Sequence, residues 1–415
     1  MPASDISHGP RRLRWRAGAA ALLAFGLVQP VVTSLVTARP AYAAGPVTYQ
    51  DQRYPSSVTA PTADKPQSKV WHHGGAWWGL LISAAKGVPS IHQLRSDHTW
   101  RDTGVAVDTR PTSTSDALST SGKLYVASGA GGGAYFSRYT YDSSHHTYIA
   151  DPGFPVRLVA KGTESVSIAR DGTGKIWATF TQAGAVWVTH TTTSDATWKA
   201  PARVPNADTT VSSDDISGIV AFSHAIGIMW SDQQSSAFRF AIHADGASDS
   251  SWRVETPLSG ESIADDHMNL KSIGNDAQGR VFAVVKTSYD DAGKPSTSPL
   301  IIVVARSSSG AWKSATAATI ADRATRPQIA LDGQHGTIYV LMTAPVTGGT
   351  IYYKSAALSS LSFPTGRGAV FMSWSGAVLN NVSTTKDPVD SSTGIVAIAS
   401  DDVHKRYYHA ELPLG

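Results

Sequence analysis

Short apolar runs recur along this chain from Ser68 to its end, at a period of about 50 residues. In each unit a polar approach leads into a short strand-like run and then a turn of Gly, Asp or Asn. A strongly apolar run, a third run and a closing segment with Trp or Pro follow. The third unit is the clearest, with Val166 to Ile168, Asp171-Gly172, Ile176 to Phe180, Val186 to Thr189 and Trp198. Apolar and polar positions alternate as they do along strands, and no amphipathic helix of useful length is found, so the pattern predicts an all-β chain.

Units of four short strands at this period are typical of a β-propeller. We count seven units, which predicts an all-β, seven-bladed β-propeller. Six blades are the alternative, because the seventh unit lacks an obvious fourth strand. Val47 to Gln50 could supply that strand from the N-terminal side and close the ring. A pair of β-sandwiches is a further alternative, but sandwiches have no reason to keep so regular a period.

The first 43 residues have the features of a secretory signal peptide. Arginines at 11, 12, 14 and 16 precede an apolar run from Ala17 to Leu35, and Ala41-Tyr42-Ala43 is a small-x-small cleavage site. We therefore expect a secreted, extracellular protein, exported by the Sec route or, given the Arg11-Arg12 pair, by the twin-arginine route. Residues 44–67 are a leader rich in Pro, Thr and Ser, and residues 68–415 form the predicted propeller.

Removal of residues 1–43 changes the charge balance of the chain. That segment holds five of the 35 Lys and Arg and one of the 32 Asp and Glu, which leaves 30 basic and 31 acidic residues. A net charge near zero gives no basic surface for nucleic acid. No second apolar run is long enough to span a bilayer. The chain has no cysteine, which excludes disulfides, thiolate nucleophiles and Cys-based metal sites.

The stretch Asp265-Asp266-His267-Met268-Asn269-Leu270-Lys271 carries the densest chemistry. As an extended segment it would place Asp265, His267, Asn269 and Lys271 on one face. Four polar groups in a row need solvent, partners or a ligand. The stretch is therefore either a charged approach to a strand or the wall of a site in which His267 is the titratable centre.

The corresponding position of each unit, where the innermost strand of a blade would begin, carries a polar or charged residue. These residues are Lys69, Asp116, Glu164, Asp214 with Asp215, His267, Arg326, and Asn381 or Lys386. Such a ring could simply solvate a water-filled channel. It could also bind a polyhydroxylated ligand, neutral or anionic. Arg326 would be the partner of a carboxylate, because its guanidinium can bond both oxygens.

Trp-bearing units of this kind resemble the bacterial-neuraminidase-repeat propellers of the sialidase-like superfamily. Their Asp box is Ser/Thr-x-Asp-x-Gly-x-Thr-Trp. The segment Thr191 to Trp198 keeps Thr191, Thr197 and Trp198, but has Thr193 in place of Asp and Asp195 in place of Gly. Thr99-Trp100 keeps only the end of the box. Because the three arginines of a sialidase cannot be identified either, the resemblance implies the architecture and does not extend to sialidase activity.

The Asp265 stretch also resembles a segment of propeller lyases and glycosidases that act on uronate- or rhamnose-containing polysaccharides. In those proteins an Asp/Asn-His-Asn run opens an inner strand and the His lies in the sugar site. His267 and Asn269 match that run. The resemblance implies a polysaccharide as the partner and a glycoside hydrolase or polysaccharide lyase as the enzyme class.

Together these observations predict a secreted, carbohydrate-active propeller that cleaves or binds an extracellular polysaccharide, neutral or acidic, at the channel mouth. For catalysis we expect His267 as general acid or base, with Glu164, Asp215 or Asp116 as the carboxyl partner. The remaining substrate-binding candidates are Arg326, Asn269, Asp116, Lys69, Lys271 and Lys386. No metal or other cofactor is expected, and we expect a monomer. The alternative is a non-catalytic binding or scaffold propeller, in which the ring would be salt-bridged across blades.

Overall fold

The computed structural model describes residues 45–63, 65–163, 165–273 and 279–415. In this part of the chain the secondary structure consists of antiparallel strands and one 3-10 turn, Ile320–Asp322. No helix among these residues is long and apolar enough to cross a membrane. The predicted signal peptide at 1–43 and the candidate residue Glu164 lie outside the described residues.

The strands in chain order are β1 Val47–Arg53, β2 Val70–His73, β3 Ala76–Ile82, β4 Pro89–Leu94, β5 Trp100–Ala106, β6 Thr114–Thr120, β7 Lys123–Ala130, β8 Gly133–Asp142, β9 Thr147–Ala150, β10 Val156–Val159, β11 Val166–Arg170, β12 Ile176–Gln182, β13 Ala185–His190, β14 Ala202–Arg203, β15 Ser217–Phe222, β16 Ala225–Asp232, β17 Ala237–Ala244, β18 Arg253–Ser259, β19 Met268–Ser272, β20 Val281–Lys286, β21 Pro299–Arg306, β22 Trp312–Thr319, β23 Thr325–Asp332, β24 Thr337–Ala344, β25 Thr350–Ala357, β26 Ala369–Met372, β27 Leu379–Ser383, β28 Ile395–Asp401 and β29 Arg406–Leu412.

These strands form seven sheets arranged in a ring, so the predicted all-β, seven-bladed propeller is confirmed. The blades are β2 to β5, β6 to β10, β11 to β14, β15 to β18, β19 to β22, β23 to β26, and β27 to β29 with β1. In the second blade both β9 and β10 pair with β8, so that blade has one strand more than the others. The six-bladed and double-sandwich alternatives are wrong.

The ring is closed by the strand that the sequence places at the N-terminal side. β1 pairs antiparallel with β29, with Val47 opposite Glu411 and Tyr49 opposite His409. The seventh blade therefore takes its fourth strand from the other end of the chain, as expected for Val47 to Gln50. This pairing removes the free edge that β29 would otherwise present.

The second strands of the blades lie in the core. Every residue of β16 and of β20 is buried, which explains why these strands read as continuous apolar runs. Trp71 and Trp78 are 1% and 0% exposed, so both belong to the core between blades. Burying an apolar side chain of this kind contributes about 1.5–3 kcal/mol, which supports the ring at each interface.

The first strands of the blades line the central channel. Contacts join β2 to β6, β6 to β11, β11 to β15, β15 to β19, β19 to β23 and β23 to β27 in ring order. The ends of β6, β11, β15 and β19 line one common cavity, which shows that these strands run in the same direction. We call the face at which the first strands begin the top face, and the face at which they end the bottom face.

Candidate functional site

The candidate site is centred on the three residues that precede β19 on the top face. Asp265, Asp266 and His267 are 7%, 8% and 8% exposed. The Nδ1 of His267 lies against a carboxylate oxygen of Asp265 and 2.5 Å from Oδ1 of Asp266. The backbone N–H of His267 also donates to Asp265 Oδ1 at 3.1 Å, and this bond fixes the turn that leads into β19. The Nε2 of His267 is buried and bonds to no other described residue.

Two ammonium groups offset the charge of these carboxylates. Lys65 Nζ is bonded to Asp266 Oδ2. Lys286 Nζ, at the end of β20, donates to Asp265 Oδ2 at 2.7 Å and to Asp290 Oδ1 at 3.1 Å. Both lysine side chains are less than one-sixth exposed, so solvent screens these ion pairs less than it screens surface pairs. The result is a network of alternating charges around the imidazole.

The network changes the acidity of the carboxyl groups in opposite directions. Burial alone would raise the pKa of Asp266, but the hydrogen bond and charge of His267 and the charge of Lys65 hold that pKa well below its usual range. Asp214, which is exposed at the rim, behaves differently. Desolvation and then the charge of Asp266 raise the pKa of Asp214, which shows that it faces the same cluster.

The three central side chains also lie close enough together to hold a metal ion. Ligand atoms of Asp265, Asp266 and His267 are within 4.8 Å of one another. Each of the two carboxylates is already bonded to an ammonium group, from Lys286 and Lys65 respectively. A cation placed among them would be repelled by both ammonium groups. The arrangement therefore fits an ion-pair network better than a metal centre.

The chain itself crosses the channel mouth between β1 and β2. We call residues 65–69 the crossing segment. The carbonyl of Lys65 accepts hydrogen bonds from Asn269 Nδ2 at 3.1 Å and Gln328 Nε2 at 2.7 Å, from two different blades. Asn269 Oδ1 in turn accepts from the N–H of Ile329 at 3.3 Å. The amide of Asn269, predicted to bind substrate, is therefore engaged by the protein.

Arg326 lies at the top face beside the crossing segment. Its φ is 50°, within a bulge between Thr325 and Gln328 where the pairing of β23 with β24 shifts register. The guanidinium donates to the carbonyl of Val346 at 3.4 Å, a long contact. Among the described residues it makes no ion pair. Arg326 and Lys65 line a small cavity of about 10 Å³, and no bond joins Arg326 to His267.

Four of the predicted substrate-binding residues, Asp116, Lys69, Lys271 and Lys386, lie deeper in the channel. Asp116 is 0% exposed and accepts from the N–H groups of Ser68 and Ile168 at 2.9 and 2.8 Å. Lys386 Nζ bonds the same carboxylate and the carbonyl of Ile168, the latter at 2.6 Å. Since Asp116 and Lys386 come from the second and seventh blades, this ion pair ties the ring together across the channel.

Lys69 and Lys271, the other two of these four residues, bond to amide and carbonyl oxygens of the protein. Lys69 Nζ donates to Gln67 Oε1 at 2.8 Å and to the carbonyl of Ser115 at 3.1 Å. Lys271 Nζ donates to the carbonyl of Thr385, in the loop that follows β27. The ring predicted from sequence thus separates into a top cluster around His267 and a channel cluster around Asp116, Lys271 and Lys386.

Asp215 belongs to neither cluster. It is 0% exposed, and its carboxylate accepts from the N–H groups of Ser212 at 2.7 Å and Gln233 at 3.3 Å. These bonds hold the loop that leads into β15. In the described chain no bond connects Asp215 with His267, so its role as the carboxyl partner of the histidine stays a prediction. The adjacent Asp214 faces the His267 cluster instead.

Several charged residues of the site escaped the sequence reasoning. Lys65 lies in a segment that reads as a surface leader, and Lys286 is the last residue of an apolar strand. Asp290 was visible as part of a long polar loop, and Asp387 directly follows Lys386. Only their position relative to the ring, which depends on folding, identifies these four as partners.

No protein-family model and no curated protein matches this sequence. Solved structures of similar fold include a polysaccharide lyase. A PL25 ulvan lyase bound to -[GlcA(1-4)Rha3S]- is 10% identical with a TM-score of 0.55, over 88% of this chain and 96% of the lyase. The WD40 domain of Toxoplasma gondii coronin is also 10% identical, with a TM-score of 0.51 over 90% and 87% of the two chains. At this identity the similarity shows the propeller fold alone.

Proposed function

We propose that this chain is an exported, carbohydrate-active propeller that takes an acidic polysaccharide on its top face and cleaves it with His267 as the proton-transferring group. Export rests on the predicted signal peptide at residues 1–43. The polysaccharide class draws support from the resemblance of the Asp265 stretch and from the presence of a polysaccharide lyase among proteins of similar fold.

The observation that carries the proposal is the arrangement of the imidazole. One ring nitrogen of His267, Nδ1, is held by the carboxylates of Asp265 and Asp266, while Nε2 bonds to no described residue. A histidine oriented through one nitrogen keeps the other for proton transfer, as in catalytic dyads and triads. The surrounding ion pairs fix the ring orientation before a substrate binds.

Arg326 supplies the second requirement, a cation for the acidic group of the substrate. It is partly exposed at the same face and has no carboxylate partner among the described residues. A guanidinium can form two parallel hydrogen bonds to a carboxylate. In the proposed complex Arg326 therefore binds a uronate carboxylate, and His267 acts on the sugar beside it.

A second candidate function is binding without cleavage. It is favoured by the crossing segment, which occupies the amides of Asn269 and Gln328, and by the burial of His267 Nε2. The ion pair between Asp116 and Lys386 across the channel also matches what a scaffold propeller would show. Cleavage requires the crossing segment to move far enough for a sugar to reach Nε2, whereas binding does not.

Incubation of the purified protein with a panel of neutral and acidic polysaccharides tests both functions. Reducing ends report hydrolysis, absorbance of unsaturated uronate reports elimination, and affinity electrophoresis reports binding. We expect products from an acidic polysaccharide, and we expect His267→Ala to lower turnover at least about 10²-fold, the lower range for a lost general acid or base. His145→Ala, an exposed histidine in the turn between β8 and β9, is the matched control.

Each outcome assigns the function. Binding without product formation would replace cleavage by the second candidate. A His267→Ala protein with full activity on the same substrate would remove His267 from catalysis. If no polysaccharide of the panel is bound or cleaved, the carbohydrate proposal is overturned. Melting temperatures of the variants separate a catalytic loss from unfolding.

A further inference from the structure

A cavity of about 170 Å³ opens where the channel reaches the bottom face. The ends of β6, β11, β15 and β19 form its wall, together with the loop that follows β27. Its charged lining residues are Arg170, Lys271, Lys386 and Asp387. At about 30 Å³ per water, the cavity holds roughly five or six waters, or one small organic molecule. It is separate from the His267 cluster, which lies before β19 on the opposite face.

Only some of the charges around this bottom cavity are paired within the described chain. Asp116 behind it is bonded to Lys386 and to two backbone N–H groups. Lys271, which is 3% exposed, has one hydrogen-bond acceptor within the described chain, the carbonyl of Thr385. An ammonium group has three N–H donors, so two donors of Lys271 are left for other partners. A buried ammonium without a bonded carboxylate is costly, and a bound anion would offset that cost.

Asp387 is the one carboxyl group that lines the cavity beside this ammonium. It is partly exposed, and its closest described partner is the hydroxyl of Thr385 at 3.4 Å, too long for a strong hydrogen bond. Burial raises the pKa of Asp387 to about 6, and burial together with the charge of Lys386 lowers the pKa of Lys271 to about 7. Both shifts bring these groups into the range where physiological pH changes their charge.

We propose that the bottom cavity binds a small carboxylate anion, no larger than a hexuronate monosaccharide, through the ammonium of Lys271. The carboxylate accepts from the free N–H donors of Lys271. It also accepts from the carboxylic acid O–H of Asp387 when that group is protonated. Arg170 at the cavity wall and Lys386 add positive charge, whereas ionised Asp387 opposes binding. This inference does not depend on the proposed function of the top face.

The pH dependence follows from the groups that face the ligand. As the pH falls from 8 to 5, Lys271 gains a proton and Asp387 gains a proton, and both changes favour a bound anion. A uronate carboxylate keeps its charge over this range, since its ordinary pKa lies near 3.5. Affinity for a carboxylate should therefore rise as the pH falls, by at least about tenfold between pH 8 and pH 5.

Titration calorimetry with glucuronate at pH 5, 6.5 and 8 tests the proposal, with glucose as the neutral control. We expect glucuronate to bind more tightly at pH 5 and glucose not to bind. Acetate tests whether the site recognises the carboxylate alone or the sugar as well. Acetate should bind about as tightly as glucuronate in the first case and more weakly than glucuronate in the second. Both results support the site. No detectable binding of either carboxylate at pH 5 would overturn it.

Two substitutions connect the binding to its residues. Lys271→Met keeps the length of the side chain but removes the charge, and it should abolish glucuronate binding, whereas Lys313→Met on the exposed face of β22 should not. Asp387→Asn keeps a hydrogen-bond donor at every pH, so it should strengthen binding at pH 8 and flatten the pH profile. If Lys271→Met folds poorly, the Asp387→Asn profile decides. An unchanged pH profile in Asp387→Asn, or wild-type affinity in a folded Lys271→Met, contradicts the proposal.

Discussion

At the scale of single residues, backbone conformation decides what Arg326 presents to the top face. Its φ of 50° lies in the left-handed region, which costs a non-glycine residue about 1–2 kcal/mol. The register shift between Thr325 and Gln328 creates this conformation. A strict alternation along β23 would give the side chain a different direction. The bulge therefore explains why Arg326 lies beside Lys65 and not against His267.

Replacing Arg326 by Ala tests whether this guanidinium binds the acidic group of a polysaccharide. The left-handed backbone conformation costs alanine about as much free energy as it costs arginine, so we expect the variant to keep its fold. Loss of hydrogen bonds to a charged group should weaken binding by about 1.5–3 kcal/mol. Affinity electrophoresis or calorimetry with the polysaccharide identified in the panel measures the change. Arg95→Ala, an exposed arginine in the turn between β4 and β5, is the control. Unchanged affinity in a folded Arg326→Ala protein would remove Arg326 from the site.

At the scale of elements, the strands could be predicted because their signals are local. The third blade shows this, since Val166 to Ile168 and Ile176 to Phe180 alternate and Asp171-Gly172 marks the turn. The crossing segment could not be predicted in the same way. Lys65 bonds to Asp266, 201 positions away, and no local pattern encodes such a contact. Sequence therefore indicated His267 and Asn269 but not the crossing segment that bonds to Asp266 and Asn269.

A bidentate ion pair joins the fourth and fifth blades. Glu255 on β18 accepts from Arg306 Nε at 2.8 Å and Nη2 at 2.9 Å, and from Trp312 Nε1 at 2.8 Å. The side chains of Glu255 and Arg306 are 12% and 5% exposed. Burial would raise the pKa of Glu255, but the hydrogen bonds of Arg306 and Trp312 outweigh it and lower that pKa. This geometry makes the pair a test of how blade contacts contribute to stability.

We expect Glu255→Gln to lower the free energy of unfolding by about 2 kcal/mol near pH 7, the range for hydrogen bonds to charged groups. Because the folded pKa of Glu255 is lowered, its contribution is present above the ordinary Glu pKa near 4.3 and is lost as the pH falls through the lowered value. The difference between wild type and variant should therefore shrink in acid.

Urea unfolding at pH 7 and pH 3 measures this dependence. Glu261→Gln is the matched control, because Glu261 pairs with Lys294 at 2.9 Å while its side chain is 84% exposed. An exposed ion pair of this kind contributes little, so the control should show no measurable change. Equal losses for Glu255→Gln at both pH values would show that the charge of Glu255 is not what stabilises the interface.

At the scale of the whole molecule, the propeller separates charged residues that the repeat pattern places in one ring. The repeat pattern predicts that the starts of all units lie at one level of the channel. In the structure Asp265 to His267 remain at the top face. Lys271 lies four residues after His267 on β19, closer to the bottom face. The loop with Lys386 and Asp387 enters the channel from the bottom face and completes the channel cluster. The depth of a charged residue along the channel decides which groups it bonds to. Alignment of the repeat units does not contain this depth.

Ring closure is a property of the whole molecule that depends on one strand pairing. Five residue pairs join β1 to β29. Inside this pairing His409 Nδ1 lies 2.9 Å from both carboxylate oxygens of Asp51, and Tyr49 stacks on His409. Burial would lower the pKa of His409, but the bonds and charges of Asp51 and Glu411 outweigh it and raise that pKa. Burial raises the pKa of Asp51 as well, so the folded pair holds protons more tightly than the unfolded chain.

A chain that begins at Tyr54 should melt on the order of 10 °C lower than one that begins at Val47. Losing several ladder hydrogen bonds at about 1 kcal/mol each removes roughly 5 kcal/mol, and each kcal/mol corresponds to about 2 °C in a large domain.

The raised pKa of His409 adds a pH dependence. Its contribution is complete below the ordinary His pKa near 6.5 and is lost as the pH rises through the raised value. The gap between the two chains should therefore narrow from pH 6 to pH 9 in differential scanning calorimetry. Equal melting temperatures would show that the ring holds without β1, and a gap that widens with pH would exclude His409 and Asp51 as its cause.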